Sequence, residues 1–352
     1  MTAPVVPGLA EALEALPKVE LHCHVEGTMR ATTVSDLAAA NEVDLPVADP
    51  TELYRYDSLD GFLRVFWLVQ SVLVTQGDWA RLAYESAVDG AAHGLVYRES
   101  FFTPARHLAA GRTLAEVVAG LDEGLAAAEA ETGVRVALIL DFDRDFGAAA
   151  AEETVDALLA LRRSGATGVE RVVGVGYDST EIGQEPGWYA EAFRRAGAAG
   201  LRRTAHQGED SGPEAIAACV DLLGAERIDH GLSILEDPDV TSRFVDEQIA
   251  LTVCPSSNIR IANAFPTLAE HVFPEMRHRG LLATLNTDDP ALTDLDLGRE
   301  YRAVASAFGW GWDTMVDIAL DGVAACWLPD DDKAALRARV EDARTALRPP
   351  PG

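Results

Sequence analysis

Residues 17–27 read PKVELHCHVEG, and the segment LHCHVEG within them places His22 and His24 on either side of one cysteine. Side chains two positions apart on a β-strand point to the same face, so both imidazoles project together if residues 19–25 form a strand. Two neutral imidazoles aimed at one point predict a metal site. The alternative is a pair of histidines capping a buried strand, or chance among 8 histidines in 352 residues. Further ligands elsewhere in the chain would decide between these interpretations.

Short β-branched runs like this one recur along the chain, and each is followed by an Ala- and Leu-rich segment of helical character. The eight runs are residues 19–25, 95–102, 134–142, 172–176, 203–206, 227–230, 251–254 and 281–286. The clearest helix candidates are residues 114–132, 151–163, 188–199 and 213–223. Strands that alternate with helices form a parallel sheet covered by helices, and eight such units predict an α/β fold, a (β/α)8 TIM barrel.

The interval after the first strand is longer than the others. Residues 30–94 are long enough to form several helices rather than one, which predicts a helical lid insertion at the active-site end of the barrel. An apolar stripe within it has helical spacing and is made of Leu59, Phe62, Leu63, Phe66 and Trp67. We interpret the stripe as packing core, with a hydrophobic gate over the pocket as the functional alternative. We expect residues 1–352 to form a single domain with a loose tail at 345–352.

Composition excludes several classes of function. A net charge of −28 would repel a phosphate backbone, so nucleic acid is not an expected partner. The longest apolar stretch, residues 65–74, is interrupted by Gln70 and is too short to span a bilayer. The first residues lack a basic leader followed by an apolar segment, and the four cysteines are scattered without a CxxC pair. We therefore expect a cytoplasmic enzyme with reduced thiols and no membrane partner; its oligomeric state stays open.

Further polar clusters stand where other predicted strands end. The segment TAHQGED supplies His206 and Glu209, RIDHG supplies His230, and NTDDP supplies Asp288 and Asp289. The carboxyl ends of barrel strands converge on one mouth, so these side chains can meet around a single centre. Three imidazoles and a carboxylate suit one divalent ion, best Zn²⁺, with a position open for water.

Such an ion lowers the pKa of bound water to about 7, which predicts a hydrolytic reaction. The chemistry also needs a proton acceptor and an acid, for which Glu209 and His230 are the spare candidates. Each has a structural alternative: His230 as a satisfied strand-end histidine, Glu209 as a helix cap, and Asp288 and Asp289 as part of a turn closed by Pro290.

The motifs PKVELHCHVEGT, TAHQGED, RIDHG, CPSSN and NTDDP, in this order, resemble the adenosine and adenine deaminase family of the metal-dependent amidohydrolase superfamily. The resemblance covers nearly the whole chain and implies a (β/α)8 barrel with one catalytic zinc. The implied metal ligands are His22, His24, His206 and Asp288.

The resemblance also implies roles around a small-molecule aminopurine. Glu209 would protonate N1 as hydroxide adds to C6, and His230 would orient and deprotonate the zinc water. Asp289 would hold N7, and Gly208 would let the backbone approach the ring. Phe62 and Phe66 match the apolar gate of the family, which strengthens the lid interpretation.

Several positions depart from adenosine deaminases. Glu26 stands where those enzymes carry an aspartate that binds the ribose 5′-hydroxyl, and the longer side chain leaves less room for ribose. Glu181 and Asp229 each stand in place of a glycine, and Glu181 is expected at the base. These changes resemble the adenine deaminase branch, whereas Gln207 and the NTDDPALTD segment match neither branch. We expect an adenine-like substrate, with adenosine or a modified aminopurine as alternatives.

Two other functions are compatible with the sequence. Another mononuclear amidohydrolase could cleave a cyclic amide or ester, although a two-metal member is disfavoured because lysine is absent between residues 19 and 332. A non-catalytic zinc or ligand-binding barrel would be expected to have lost its acid or base, yet Glu209 and His230 are both present.

Overall fold

In the computed structural model, residues 8–49, 52–56, 59–262 and 264–350 are described, without the side chains at positions 59, 60 and 63. Eight parallel strands follow one another around the barrel in sequence order. They are β1 (Lys18–Glu20), β2 (Leu95–Phe102), β3 (Arg135–Asp143), β4 (Val172–Asp178), β5 (Arg202–Gln207), β6 (Arg227–His230), β7 (Ala250–Val253) and β8 (Ala283–Leu285). The predicted (β/α)8 barrel is confirmed.

The barrel closes between its last and first strands through the residues that follow them. The Asp288 N–H donates to the His22 carbonyl at 3.1 Å, and the His24 N–H donates to the Asp288 carbonyl at 2.9 Å. We call this contact the seam. Beyond Glu20 the backbone makes isolated hydrogen bonds to Asp288 on one side and to Phe101 on the other. The regular pairing of β1 with its neighbouring strands therefore ends there. The predicted strand 19–25 is therefore wrong in its extent, and β1 ends before both histidines.

The helices cover the outside of the barrel. They are α1 (Leu9–Ala15), α2 (Ala31–Ala40), α3 (Leu59–Ser71), α4 (Gln76–Ala92), α5 (Ala105–Ala109), α6 (Leu114–Thr132), α7 (Gly147–Ser164), α8 (Ala190–Ala198), α9 (Pro213–Ala218), α10 (Pro238–Glu247), α11 (Pro255–Arg260), α12 (Phe273–His278), α13 (Leu297–Phe308), α14 (Trp312–Ala325) and α15 (Asp330–Ala346). The predicted helical insertion between the first two strands is confirmed as α2, α3 and α4. None of the described helices is long and apolar enough to cross a membrane.

Local signals explain where several helices begin and end. Helix α6 has the predicted bounds, because Thr113 and Glu116 form a capping box at its start and Gly133 adopts a left-handed φ of 75° at its end. The predicted helix 213–223 is instead α9 followed by one turn of π-helix, Cys219–Leu223. Helix α15 reaches Ala346, so the first two residues of the predicted tail are helical, and residues 351 and 352 lie outside the described part.

Candidate active site

Four side chains from three places in the chain converge at the mouth of the barrel. The Nε2 atom of His206 lies 3.1 Å from Nε2 of His22 and 3.2 Å from Nε2 of His24. The Oδ1 atom of Asp288 lies 3.2 Å from Nε2 of His22 and 3.3 Å from Nε2 of His24. All four residues are buried. The structure thus brings together the four residues predicted to be metal ligands.

These spacings fit a tetrahedral metal site. Ligand atoms about 2.0 Å from a central ion in tetrahedral arrangement are separated from one another by about 3.3 Å. The Nε2 atoms of neutral imidazoles also cannot all donate to one another at such short range. Burial, followed by the neighbouring imidazoles of His22 and His24, holds the pKa of His206 well below its usual value, which keeps the ring free to ligate.

The outward-facing nitrogens of the histidines show how each ring is held. The Nδ1 atom of His22 lies 3.0 Å from Oγ1 of Thr252, whose hydroxyl donates to Asp229. The Nδ1 atom of His206 lies 3.0 Å from the Tyr177 carbonyl. Such partners fix the orientation of metal-ligating imidazoles. Asp229, one of the departures from adenosine deaminases, therefore acts on the site through Thr252.

The third ring differs from the other two. Within the described part of the chain, the buried Nδ1 atom of His24 has no hydrogen-bond partner, although carboxylate oxygens of Asp141 and Asp178 lie within 4.8 Å of one nitrogen of the ring. Both oxygens of Asp141 are also buried without a hydrogen-bond partner among the described residues, and Oδ2 lies 3.6 Å from Nδ1 of His206. Burial, followed by the charge of Asp178, raises the pKa of Asp141 well above its usual value. His24 is thus the least constrained of the three rings.

Two site residues hold an unusual backbone conformation. His230 and Asp288 both have a φ of 66°, in the left-handed region that residues other than glycine rarely adopt. Such conformations cost of order 1–3 kcal/mol each and persist where the surrounding structure enforces them. At Asp288 the seam supplies that enforcement, because both its N–H and its carbonyl are hydrogen bonded.

Glu209 and His230 lie beside each other at the edge of the ligand cluster. The Nε2 atom of His230 is 3.4 Å from Oε2 of Glu209. Burial, followed by the charges of Asp288, Glu181 and Asp210, raises the pKa of Glu209 well above its usual value. Burial, followed by His22, holds the pKa of His230 well below its usual value. These shifts favour a protonated carboxyl group on Glu209 beside an uncharged imidazole on His230.

Glu181 is not positioned as the sequence led us to expect. Its Oε1 atom accepts from the Glu209 N–H at 3.0 Å, and its Oε2 atom accepts from the Gly208 N–H at 3.0 Å and the Ser211 hydroxyl at 2.5 Å. Asp210 N–H and the Gln207 amide also donate to Oε2. Both oxygens of Glu181 therefore hold the loop that carries Glu209, and its contact with the substrate stays a prediction.

Gly208 lies at the start of that loop with a φ of 92°. A Cβ atom there would approach a side-chain atom of Ile216 to 2.6 Å, so both the backbone conformation and the packing require glycine. Glu209, the residue that follows Gly208, is thereby turned towards the ligand cluster.

Glu26 and Asp289 form the other wall of the site. The Oε1 atom of Glu26 accepts from the Thr103 N–H at 3.0 Å, whereas its Oε2 atom and Oδ1 of Asp289 are buried without a partner among the described residues. Burial raises the pKa of Glu26, and burial followed by the charge of Asp288 raises that of Asp289 well above its usual value. Gly27 allows this proximity, because a Cβ atom there would lie 1.8 Å from the Asp289 carboxylate.

The predicted gate residues lie on α3. The rings of Phe62 and Phe66 are stacked with centroids 5.8 Å apart, and the Phe66 ring meets the His24 ring edge-on at 6.4 Å. Phe62 is buried, whereas Trp67 is exposed. The side chains of Leu59 and Leu63, which complete the predicted stripe, lie outside the described part.

Sequence reasoning missed two residues that contact the catalytic side chains, Ser257 and Asn258, and a third, His271, that contacts Asn258. Ser257 donates to Oδ2 of Asp288 at 2.5 Å, and the Asn258 amide donates to Oε1 of Glu209 at 2.9 Å. Nε2 of His271 lies 3.2 Å from Oδ1 of Asn258. Ser257 and Asn258 belong to the CPSSN motif at the start of α11, which carries no role by residue type alone. That motif stands directly after β7, and this position was the available signal.

A barrel that gathers three histidines and an aspartate at its strand ends, beside a protonated carboxyl group, is built for metal-dependent hydrolysis. The family model described as adenosine deaminase matches residues 17–343. The chain therefore belongs to the adenosine deaminase family and is a metal-dependent hydrolytic deaminase.

Similar proteins agree with this assignment. The adenine deaminase of Streptomyces coelicolor is 41% identical over 94% of this chain and 95% of its own length. The adenine deaminase of Caulobacter vibrioides is 36% identical over 94% of this chain and 95% of its own length.

Two solved structures share the fold. The adenine deaminase of Arthrobacter aurescens has a TM-score of 0.88 and 34% identity, covering 93% of this chain and 99% of that one. An amidohydrolase of Burkholderia ambifaria with bound Zn has a TM-score of 0.90 and 30% identity, covering 98% of this chain and 95% of that one.

Proposed function

We propose that this protein catalyses the hydrolytic deamination of free adenine to the 6-oxo purine and ammonia, with one Zn²⁺ ion as cofactor. The observation that carries the proposal is the convergence of His22, His24, His206 and Asp288 beside the protonated Glu209. The adenine deaminases among its relatives support the substrate. Four buried free thiols, all in the described part of the chain, support a reducing cytoplasmic location.

The donor set favours zinc over the harder divalent ions. Three imidazole nitrogens and one carboxylate oxygen are the ligands that zinc prefers, and Mg²⁺ or Ca²⁺ would favour oxygen alone. When bound, the ion supplies a nucleophilic hydroxide near neutral pH. The zinc bound to the Burkholderia ambifaria amidohydrolase supports the same choice.

The residues around the ligand cluster supply the remaining needs of the reaction. Glu209, protonated because it is buried among other carboxylates, delivers its proton to N1 of the purine as C6 becomes tetrahedral. Asp289 holds N7 from the opposite side, and His230 orients the attacking water. Gly208 brings the backbone close to the ring. Phe62 and Phe66 close the mouth and exclude water from the reacting atoms.

Glu26 favours the free base over the nucleoside. Its buried carboxyl group bonds to the backbone of Thr103 beside Asp289, where the ribose of a nucleoside would extend from the ring. A ribose would have to displace this carboxyl group or leave its hydroxyls unpaired against it, and buried polar groups without partners are costly.

Steady-state assays of the zinc-loaded protein that follow ammonia release from adenine, adenosine and other 6-aminopurines test the proposal. We expect kcat/KM for adenine to exceed that for adenosine by at least about a hundredfold, which corresponds to roughly 2.7 kcal/mol. Faster turnover of adenosine or of a modified aminopurine would overturn the assignment of adenine as the substrate. Absence of turnover on every aminopurine, with hydrolysis of a cyclic amide or ester instead, would overturn the reaction.

A further inference from the structure

A chain of hydrogen bonds runs from the protein backbone to the catalytic pair. It begins at the Phe273 N–H, which donates to Nδ1 of His271 at 3.0 Å. A backbone N–H can only donate, so Nδ1 of His271 must be an acceptor and the ring proton must lie on Nε2. The ring is uncharged for the same reason, since an imidazolium would carry protons on both nitrogens.

The second link fixes the orientation of an amide. Nε2 of His271 lies 3.2 Å from Oδ1 of Asn258, and the proton on that nitrogen requires an acceptor there. The Asn258 amide therefore turns its oxygen to His271 and its nitrogen to the active site. The opposite orientation would place two donors against each other.

The third link reaches the catalytic residues. Nδ2 of Asn258 carries two protons and has two neighbours, Oε1 of Glu209 at 2.9 Å and Nδ1 of His230 at 3.0 Å. Both of these atoms must accept. Nδ1 of His230 is therefore unprotonated, and the acid proton of Glu209 resides on its other oxygen, Oε2.

We propose that the relay from the Phe273 backbone through His271 and Asn258 fixes His230 as the Nε2–H tautomer and places the Glu209 proton on Oε2. Nε2 of His230 and Oε2 of Glu209 are 3.4 Å apart, and a protonated Nε2 has no lone pair, so it cannot accept the proton of Glu209. The Nε2–H of His230 and the O–H of Glu209 are therefore both available to groups that bind between these two residues and the ligand cluster.

For the reaction proposed above, on which this part of the inference rests, the relay changes the role of His230. Its Nε2–H donates a hydrogen bond to the attacking oxygen and does not remove the proton from the water, contrary to the role implied by the resemblance. The released proton passes to the Asp288 carboxylate, which lies in the same cluster. Asn258 and His271 are positioning residues, since they act only through Glu209 and His230.

The tautomer can be read directly in the zinc-loaded protein. Long-range ¹H–¹⁵N correlation spectra of protein labelled at histidine distinguish a ring protonated on Nε2 from one protonated on Nδ1, and His230→Gln identifies the His230 signals by their absence. We expect His230 and His271 both to carry the proton on Nε2. A proton on Nδ1 of His230 would overturn the proposal.

The variant Asn258→Asp tests whether the relay sets the tautomer. A carboxylate can only accept, so His230 should change to the Nδ1–H form, with kcat reduced about a hundredfold or more and full zinc content retained. His107, which packs against Trp79, is an internal control whose signals should stay in place. An unchanged His230 tautomer in this variant would exclude Asn258 as the residue that sets it.

These measurements separate the inference from the proposed function. The spectra require no turnover, so a wild-type protein that deaminates no aminopurine would refute the function and leave the tautomer result standing. A wild-type protein that is active on adenine but carries the proton on Nδ1 of His230 would refute the relay alone.

Discussion

At the scale of single residues, Glu209 is the group on which the chemistry depends most. Burial and neighbouring negative charges raise the pKa of its carboxyl group and so favour the protonated form. In Glu209→Gln we expect kcat on adenine to fall by about 10²–10⁴-fold, because the amide cannot deliver a proton to N1. Zinc content, measured by elemental analysis, should stay near one ion per chain, since Glu209 is not among the four convergent ligand residues.

Glu214→Gln is the matched control for this change, because it removes the same charge from an exposed side chain of α9. Wild-type kcat is expected there. If Glu209→Gln turned over adenine as fast as this control, another group would have to serve as the acid.

Glu26 decides which purines fit. The variant Glu26→Asp shortens the side chain, withdraws the carboxyl group from the Thr103 N–H, and opens space beside Asp289. We expect the ratio of kcat/KM for adenosine to that for adenine to rise at least about tenfold, or roughly 1.4 kcal/mol in discrimination. Competition assays with both substrates measure the ratio directly, and an unchanged value would assign the discrimination to another residue.

The sequence revealed the ligand residues because each stands in a short polar motif after a predicted strand. The relay residues could not be found in this way. Asn258 and His271 are thirteen positions apart and meet only because α11 and the loop before α12 pack together. No local pattern distinguishes a histidine that orients an amide from one that is simply buried.

At the scale of elements, the loop after β4 supports the loop after β5. Five donors from residues 207–211 bind the Glu181 carboxylate, so this side chain fixes the path of the backbone through Glu209. In Glu181→Gln the new amide N–H₂ must face some of these donors. We expect kcat to fall about 10- to 100-fold, with KM for adenine changed less, because the misplaced acid acts in the transition state.

The exposed Glu185 lies on the same loop, and Glu185→Gln removes the same charge. Steady-state kinetics of the two variants side by side separate an effect of charge from an effect of loop geometry. Equal losses in both would show that Glu181 acts through charge alone.

Element boundaries were predictable only where the pairing is regular. The bounds of β2 and β6 agree with the sequence pattern, since every part of each strand is paired with at least one neighbouring strand. The first strand was overestimated because its apolar alternation continues through the seam, where the partner is a turn residue, Asp288. The alternation of apolar and polar residues indicates which face of a strand is buried, but it does not indicate which segment pairs with the backbone of that strand.

At the scale of the whole molecule, the metal ligands and the closure of the barrel share the same residues. His22 and Asp288 hold each other through the backbone at the seam and face the same centre through their side chains. Removal of the ion with a chelator should therefore lower the melting temperature by about 5 °C, on the scale of a ligand present at about a thousand times its Kd.

Differential scanning fluorimetry and adenine turnover, each recorded before chelation, after it, and after Zn²⁺ is restored, measure this effect. Activity and melting temperature should fall and recover together. A protein shown to be free of metal that kept both would not use the cluster as a metal site.

The seam also bears on how the protein is made. His22 and His24 leave the ribosome early, whereas Asp288 follows most of the chain, and domains tend to fold from their amino-terminal side during synthesis. The complete ligand set therefore exists only after the last strand has been translated and has met the first. Metal loading becomes a late event in the life of each molecule, and a nascent chain that stalls just before residue 288 would display His22, His24 and His206 without the carboxylate that completes the ligand set.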